Sequence, residues 1–228
     1  MNSDVRLLSI QVGIPQSFGR PGAADPMERP WTTSIHKAPA SGRVWLGKTN
    51  LAGDAQADLR VHGGPDKAVN VYPSEHYALW REEPRLASMP FGAFGENFTV
   101  RGLTEPGVCI GDVYEVGEAI VQVSQPRQPC WKLARRWQMK DLTARVEATG
   151  LTGWYFRVLK EGQVEAGESL RLLERPQSEW TVETANLLMT GRRQDAQAAR
   201  RLAACPELSA SWRRSLLKIA AMLDDLNA

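Results

Sequence analysis

Residues 124–134 read SQPRQPCWKLA and contain the side chain with the clearest chemical potential in the sequence, Cys130. Arg127 lies three residues before this cysteine and Lys132 two residues after it, and the pattern that follows Pro129 predicts a helix. A helix start and nearby cations stabilise a thiolate, the form that attacks electrophiles or binds metals. The competing interpretation is a small apolar side chain that packs without reacting. The residues alone leave both interpretations open.

A second cluster lies in the segment ADLRVHGGPDKAVNVY, which spans residues 57–72. It places Arg60, His62 and Lys67 around a turn with two adjacent glycines. Glycines let a backbone approach a ligand closely, and three groups that can carry positive charge suit a phosphate or another anion. The alternative is a plain loop in which Asp66 pairs with Lys67 or Arg60 and His62 caps the turn. The glycine spacing does not fit a Walker loop.

A third cluster is FGAFGENFTVRGL, in which Glu96 and Asn97 follow a glycine. An asparagine amide can bind the edge of a heterocycle, and a glutamate can transfer protons. The alternative is an ordinary turn at the start of a strand. The other two cysteines, Cys109 and Cys205, have no comparable neighbours and are interpreted as structural.

The composition of the 228-residue chain narrows the functional classes. Hydrophobic residues make up 43% and charged residues 24%, which is typical of a soluble globular protein. The net charge of +2 gives no support for a nucleic acid polymer as partner, and no apolar run is long enough to predict a membrane span. The first residues lack a secretory signal pattern, so we expect a cytoplasmic protein. Three widely spaced cysteines disfavour a disulfide framework.

The elements that must position these residues are mostly short strands. Alternating and β-branched patterns predict strands, helical spacing predicts a short helix at 73–83 and another from Cys130, and GWYFRVLKEG with ESLRLLER predicts a hairpin. The predicted strands include residues 5–12, 42–51, 67–72 and 119–125. Many short strands with scattered glycines favour a mainly β fold with helices, built as a closed or nearly closed β-barrel.

The composition changes after a linker at residues 174–180. Three helical patterns follow, the second of which begins at Asp195 and ends before Pro206. We therefore predict a β-barrel domain at residues 1–175 and a small three-helix domain at 176–228. Because three short helices bury little on their own, we expect them to pack on the barrel or on a second copy of the chain.

Four segments in series resemble the MOSC domain, which is named after the C-terminal part of molybdenum cofactor sulfurases. They are DLRVHGGPDKAV, FGENFTV, GDVYEVGEAIVQVSQPRQPCWKLA and GWYFRVL. The resemblance covers roughly residues 30–175 and is greatest to the YiiM type, whose C-terminal three-α domain the helical tail also resembles. It implies a β-barrel core and a molybdenum cofactor, molybdopterin, with no dependence on pyridoxal phosphate.

The resemblance also implies an activity. The expected enzyme is a cytoplasmic, molybdenum-dependent oxidoreductase that removes oxygen from N-hydroxylated compounds and leaves the amine. The implied substrates are N-hydroxylated purine bases such as 6-hydroxylaminopurine, and the implied role is their detoxification. The chain has no flavin or iron–sulfur motif, so we expect a separate electron-donor reductase as partner.

The residue assignments follow the family motif. The cysteine of its PRxPCxK region is the protein ligand to molybdenum, and Cys130 matches it, which makes Cys130 both the metal ligand and a catalytic residue. The cofactor-binding and proton-transfer assignments are Arg60, Lys67 and Arg127 for the pterin phosphate or polar edge, His62 for a cofactor hydrogen bond or proton shuttle, Asn97 for the pterin or substrate, and Glu96 as proton donor.

Two other functions stay open at this point. The chain could be a non-catalytic carrier that holds the molybdenum cofactor, or a persulfide sulfur, at Cys130. A cofactor-free thiol redox protein is a weaker alternative, because no resolving cysteine lies near Cys130 in the sequence. The role of the tail is also open between docking of the electron donor and formation of a homodimer.

Overall fold

The computed structural model describes residues 5–59 and 62–227, apart from the side chain of residue 227. Its strands are β1 (Arg6–Val12), β2 (Gln16–Phe18), β3 (Trp31–Thr33), β4 (Ala38–Pro39), β5 (Val44–Leu46), β6 (Val69–Pro73), β7 (Phe98–Arg101), β8 (Val113–Val116), β9 (Ala119–Pro126), β10 (Trp154–Lys160), β11 (Gly162–Val164) and β12 (Leu170–Glu174). Its α-helices are α1 (His76–Arg81), α2 (Lys132–Trp137), α3 (Leu142–Thr149), α4 (Val182–Met189), α5 (Ala196–Ala203) and α6 (Ala210–Asn227). Within these ranges no helix has the length and hydropathy needed to span a bilayer.

Eight strands form one sheet in the order β12-β8-β9-β10-β6-β7-β1-β4, in which only β6 and β7 run parallel. The strand-rich fold is confirmed, but the sheet is a curled, open half-barrel rather than a closed barrel. Near the open side, the amide of Leu7 donates to the carbonyl of Glu168 at 2.9 Å, and the amide of Gly167 donates to Leu7 at 2.7 Å. Arg6 also forms an isolated antiparallel bridge with Ser169, and the amide of Leu170 donates to the carbonyl of Val5 at 3.1 Å. These contacts join β1 to the segment at the start of β12 without forming a continuous ladder between the described strands.

The predicted hairpin between β10 and β12 is wrong. β10 lies between β9 and β6, β12 pairs with β8, and the intervening β11 pairs with β5. The central position of β10 satisfies its backbone on both sides while it buries Trp154 and Phe156 completely. Long-range burial, rather than closeness in sequence, therefore decides the pairing.

The three predicted C-terminal helices are confirmed as α4, α5 and α6. Asp195 caps α5 by accepting a hydrogen bond from the amide of Ala198 at 2.8 Å, as its position predicts. Trp212 and Leu216 on α6 are buried in the same apolar core as the sheet residue Val121. The helices therefore pack on the half-barrel, while the boundary at residue 175 stays a prediction.

The sheet brings the ends of three strands to one place. Tyr155 of β10 lies opposite Asn70 of β6 on one side and opposite Gln125 of β9 on the other. After β9 the amide of Arg127 donates to the carbonyl of Gly153 at 3.0 Å, and the chain then leaves the sheet toward α2. The loop that carries Cys130 is thus anchored where it leaves the sheet.

Candidate functional site

A cleft of about 650 Å³ lies beside the loop between β9 and α2. It brings together five of the residues singled out from the sequence, which are His62, Lys67, Asn97, Arg127 and Cys130. Glu96 does not line it, and Arg60 lies outside the described residues. Five further polar or charged side chains in its wall matter below, namely Ser34, Lys37, Asp54, Asn70 and Lys132.

Cys130 is half-buried in the wall of this cleft, immediately before α2. Its carbonyl accepts hydrogen bonds from the amide of Leu133 at 3.0 Å and from the hydroxyl of Thr143 at 3.2 Å, so the backbone of the cysteine is fixed. Cys109 and Cys205 are buried, and burial raises the pKa of each thiol, to about 11 for Cys205. Of the three free cysteines, Cys130 is the one that a ligand in the cleft can reach.

Arg127 is a buried cation with an unused donor. Its side chain is 5% exposed, and Nη2 donates to the carbonyl of Phe94 at 2.8 Å. Nη1 has no hydrogen-bond partner among the described residues. A buried donor that makes no hydrogen bond costs free energy, which an anionic ligand in the cleft would offset.

Two other buried polar atoms in the wall lack partners within residues 5–59 and 62–227, namely Ser34 Oγ and Asn70 Oδ1. Asn70 is fixed, because its Nδ2 donates to the carbonyl of Gly95 at 3.2 Å and its amide donates to Asn97 Oδ1 at 3.1 Å. Buried polar groups in folded proteins nearly always have partners. Within the described ranges, this cleft holds three polar groups without hydrogen-bond partners: a hydroxyl, an amide oxygen and a guanidinium nitrogen. Together they indicate a ligand that is polar along several edges.

The electrostatics of the cleft favour an anion. Four cations line it in the described part of the chain, and the one carboxylate there, Asp54, is bound by Lys37. Burial, followed by the nearby charges of Lys132, Lys67 and Arg127, lowers the pKa of His62 to about 4. His62 is therefore neutral at pH 7 and can accept a proton or a hydrogen bond at a ring nitrogen.

We expect the imidazole of His62 to titrate with a midpoint near 4 rather than near 6.5 when followed by NMR. The folded state then binds fewer protons than the unfolded state between these two pH values, so this group lowers stability as the pH falls through that window. Replacing Lys132 with methionine removes one repelling charge and should raise the midpoint. A wild-type midpoint near 6.5 would contradict the cationic environment described above.

Lys37 and Asp54 form a buried ion pair at the rim of the cleft, with side chains 7% and 0% exposed. Asp54 Oδ1 also accepts from the amide of Gly13 at 2.9 Å, and Oδ2 accepts from Asn97 Nδ2 at 3.0 Å. Burial lowers the pKa of Lys37, and the adjacent Asp54 carboxylate partly offsets that effect. The pair fixes residues from three separate segments around the cleft.

Replacing Asp54 with asparagine should lower the free energy of unfolding by about 3 kcal/mol, because it leaves Lys37 buried without a counter-charge. Urea unfolding measures this loss. The matched control is Glu118→Gln, which removes the exposed pair between Glu118 and Arg43 and should change stability little. Equal effects of the two substitutions would show that burial of the Lys37–Asp54 pair has no energetic consequence.

The side chains of Glu96 and Asn97 form hydrogen bonds within the walls of the cleft. Glu96 is fully buried and accepts hydrogen bonds from the amides of Gly92 at 2.7 Å and Phe94 at 3.1 Å, so it holds the turn whose carbonyl binds Arg127. Asn97 donates to Asp54 and to the carbonyl of Gln11, and its own side-chain oxygen accepts from Asn70. The structure therefore gives Glu96 no contact with the cleft through which to donate a proton.

The paired glycines of the second cluster both adopt positive φ angles, +82° at Gly63 and +83° at Gly64, which other residues rarely adopt. The turn is tied to the sheet, because Asp66 forms an ion pair with Arg157 at 2.8 Å and its carbonyl accepts from Ser124 Oγ at 2.5 Å. This anchoring places Lys67 in the wall of the cleft.

The comparisons with known proteins bear directly on this arrangement. Residues 58–171 match the MOSC domain, and residues 180–218 match the YiiM-like, 3-alpha helix domain. The chain belongs to the MOSC family. MOSC domains are associated with binding of the molybdenum cofactor, and the cleft of this MOSC protein lies inside the matched range except for the segments around residues 33–37 and 54–57.

Individual relatives agree with the family assignment. The chain is 47% identical to the uncharacterized protein YflK of Bacillus subtilis over 93% of both chains. The crystal structure of YiiM from Geobacillus stearothermophilus superposes with a TM-score of 0.77 at 40% identity and covers 95% of this chain and 99% of that one. A protein of Gibberella moniliformis named Reductase is 39% identical over 66% of this chain and 27% of its own length.

Proposed function

We propose that this MOSC protein is a molybdenum-cofactor-dependent reductase that converts N-hydroxylated bases, such as 6-hydroxylaminopurine, into the corresponding amines. The observation that carries the proposal is the half-buried Cys130 in a cleft whose wall also holds the unpartnered guanidinium nitrogen of Arg127. A soft thiolate is a natural ligand for molybdenum, and the cations around it suit an anionic cofactor. The reductase name of the Gibberella relative supports the same reaction class.

The residues present fit the cofactor. Cys130 would bind the metal, and Arg127 and Lys67 would bind the pterin phosphate, because both cations lie in the wall of the same cleft. Ser34 Oγ and Asn70 Oδ1 would bind polar edges of the pterin, which gives partners to the two remaining orphaned atoms. When bound, the cofactor supplies two-electron chemistry at the N–O bond.

The chain itself contributes binding and proton transfer. The overall reaction consumes one N-hydroxylated base, two electrons and two protons, and it yields the amine and one water. The electrons come from a separate donor protein. Neutral His62 lies in the wall of the cleft, where it can accept a proton at a ring nitrogen and pass it to the departing oxygen. The low pKa of His62 suits rapid release of that proton.

The test is turnover by protein produced in a host that makes the cofactor, with 6-hydroxylaminopurine as substrate and a chemical reductant in place of the donor. We expect bound molybdenum near one per chain and formation of adenine. Protein that carries molybdenum but forms no adenine would instead support the carrier function. Protein that stays free of metal but forms a persulfide at Cys130 would support the sulfur carrier.

A further inference from the structure

A second depression adjoins the cleft, and its lining combines exposed apolar side chains with polar and charged ones such as Asp58 and Lys132. It spans a space of about 1090 Å³ that is partly open solvent, and it shares Gln56, Ala57 and Lys132 with the cleft. Leu59 is 74% exposed in it, and Trp131 is 53% exposed. A large apolar side chain so exposed beside a binding cleft is a common feature of ligand sites.

The two tryptophans of this depression form an aromatic corner, which we define as Trp31 and Trp131. Their ring centroids are 5.7 Å apart and the ring planes meet at 52°. The guanidinium of Arg135 lies 5.0 Å from the Trp131 ring and 5.6 Å from the Trp31 ring. The corner is thus a cationic and aromatic surface rather than a general apolar patch.

Arg135, which contacts both rings of the aromatic corner, is held by the backbone of a neighbouring turn. Arg135 Nη1 donates to the carbonyl of Arg29 at 3.0 Å, and Nη2 donates to the carbonyl of Pro26. Trp31 also packs against the buried cluster that contains Leu133 of α2. A fixed aromatic surface loses little conformational entropy when a flat ring stacks on it.

The position of Trp131 determines what it can bind. It follows Cys130 directly in the chain, and Lys132 on its other side lines both the cleft and the depression. A molecule that stacks on Trp131 therefore lies in this depression, next to the part of the cleft wall that Gln56, Ala57 and Lys132 form. Aromatic side chains stack on every nucleobase because every base has a π face.

We propose that the aromatic corner is the substrate-specificity site, where Trp131 stacks on the heteroaromatic ring of an N-hydroxylated base while its N–OH group enters the cleft. This inference rests on the proposed reductase function. It makes Trp131 a positioning residue for ring substrates, and it predicts that small aliphatic N-hydroxy compounds do not use the corner.

The first test compares steady-state reduction of 6-hydroxylaminopurine and N-methylhydroxylamine by the molybdenum-loaded protein with a chemical reductant. Trp131→Ala should raise KM for the purine about tenfold or more, while it leaves kcat for the purine and both parameters for N-methylhydroxylamine near wild type. Trp131→Phe keeps a stacking face and should restore most of the purine KM. Trp45→Ala is the matched control, because Trp45 is 46% exposed on β5 and does not line the cleft or the depression.

The second test does not depend on turnover. Calorimetric binding of adenine should be about tenfold weaker in Trp131→Ala than in the wild type and unchanged in Trp45→Ala. If Trp131→Ala loses adenine binding but the wild type does not reduce the purine, the reductase function would be refuted and the stacking site would remain. Equal adenine affinity in wild type and Trp131→Ala, no adenine binding by the wild type, or equal losses for both N-hydroxy substrates would overturn the inference.

Discussion

Cys130→Ser should retain the fold, hold molybdenum at a lower occupancy than the wild type and lose more than about 100-fold of the reductase activity, since loss of a direct ligand exceeds the effect of losing a residue that only supports one. Serine is a harder and far less acidic ligand than a cysteine thiolate, so it is a poor substitute at a thiophilic metal. The fold should survive because the contacts at residue 130 that hold the loop are made by its backbone carbonyl. Molybdenum analysis and the adenine-forming assay measure the two effects.

The matched control for this substitution is Cys205→Ala. Cys205 is a free cysteine buried near the C-terminal helices, and it does not line the cleft. We expect this variant to lose some stability through a lost buried contact and to keep molybdenum and activity. Retention of molybdenum in Cys130→Ser at the wild-type level would remove Cys130 from the coordination sphere.

Arg127→Met should weaken cofactor retention by about 30-fold or more, because it removes a buried charge that faces the proposed anion. In protein without cofactor, the same substitution should not lower the free energy of unfolding. Since Nη1 has no partner in the described structure, replacing this guanidinium with an apolar chain of similar length should leave the free energy of unfolding unchanged or higher. Urea unfolding of unloaded protein and molybdenum retention after gel filtration measure the two quantities.

Arg175→Met should show the reverse pattern and serves as the control. Arg175 is satisfied by Asp112, with Nε to Oδ1 at 2.8 Å and Nη2 to Oδ2 at 2.7 Å, and it lies away from the cleft. Its removal leaves a fully buried carboxylate unpaired, so stability should fall while cofactor retention stays unchanged. A stability loss in Arg127→Met as large as in Arg175→Met would mean that Arg127 is a framework residue.

Local patterns were sufficient to predict the elements around the site. The alternating segment at residues 5–12 corresponds to β1, the segment at 119–125 corresponds to β9, and the helical spacing after Cys130 corresponds to α2. Pro129 and the change of period mark the end of a strand and the start of a helix within a few residues. These signals are local, and they placed Cys130 at the strand-to-helix junction that the structure shows.

Residues brought together by long-range packing were missed. Lys37 and Asp54 are seventeen positions apart, and nothing in either segment indicates that they pair. Ser34 lies in a segment without any functional pattern. Asn70 did give a signal, because a polar side chain inside the apolar run VNVY requires a partner that the run does not supply. Tyr155 lies in the wall of the cleft, but the segment GWYFRVL predicted only a strand and gave no sign of a site residue.

Glu96 shows why residue type alone is a weak guide to chemistry. A glutamate beside an asparagine after a glycine has the composition of a proton-transfer site, but here its two oxygens accept hydrogen bonds from amides of the preceding turn and from the hydroxyl of Thr99 on β7. His76 shows the same dependence on the fold, since it contacts Glu105 at 2.7 Å although the two residues are 29 positions apart in the sequence. In both cases, tertiary contacts determine the hydrogen-bond partners of the side chain.

The most direct test of the Cys130 assignment is X-ray absorption at the molybdenum edge of wild-type and Cys130→Ser protein, both loaded to whatever occupancy each reaches. We expect one sulfur ligand fewer per molybdenum in the variant, because the cofactor would keep its own sulfurs and only the protein thiolate is lost. The same number of sulfur ligands in both proteins would contradict it.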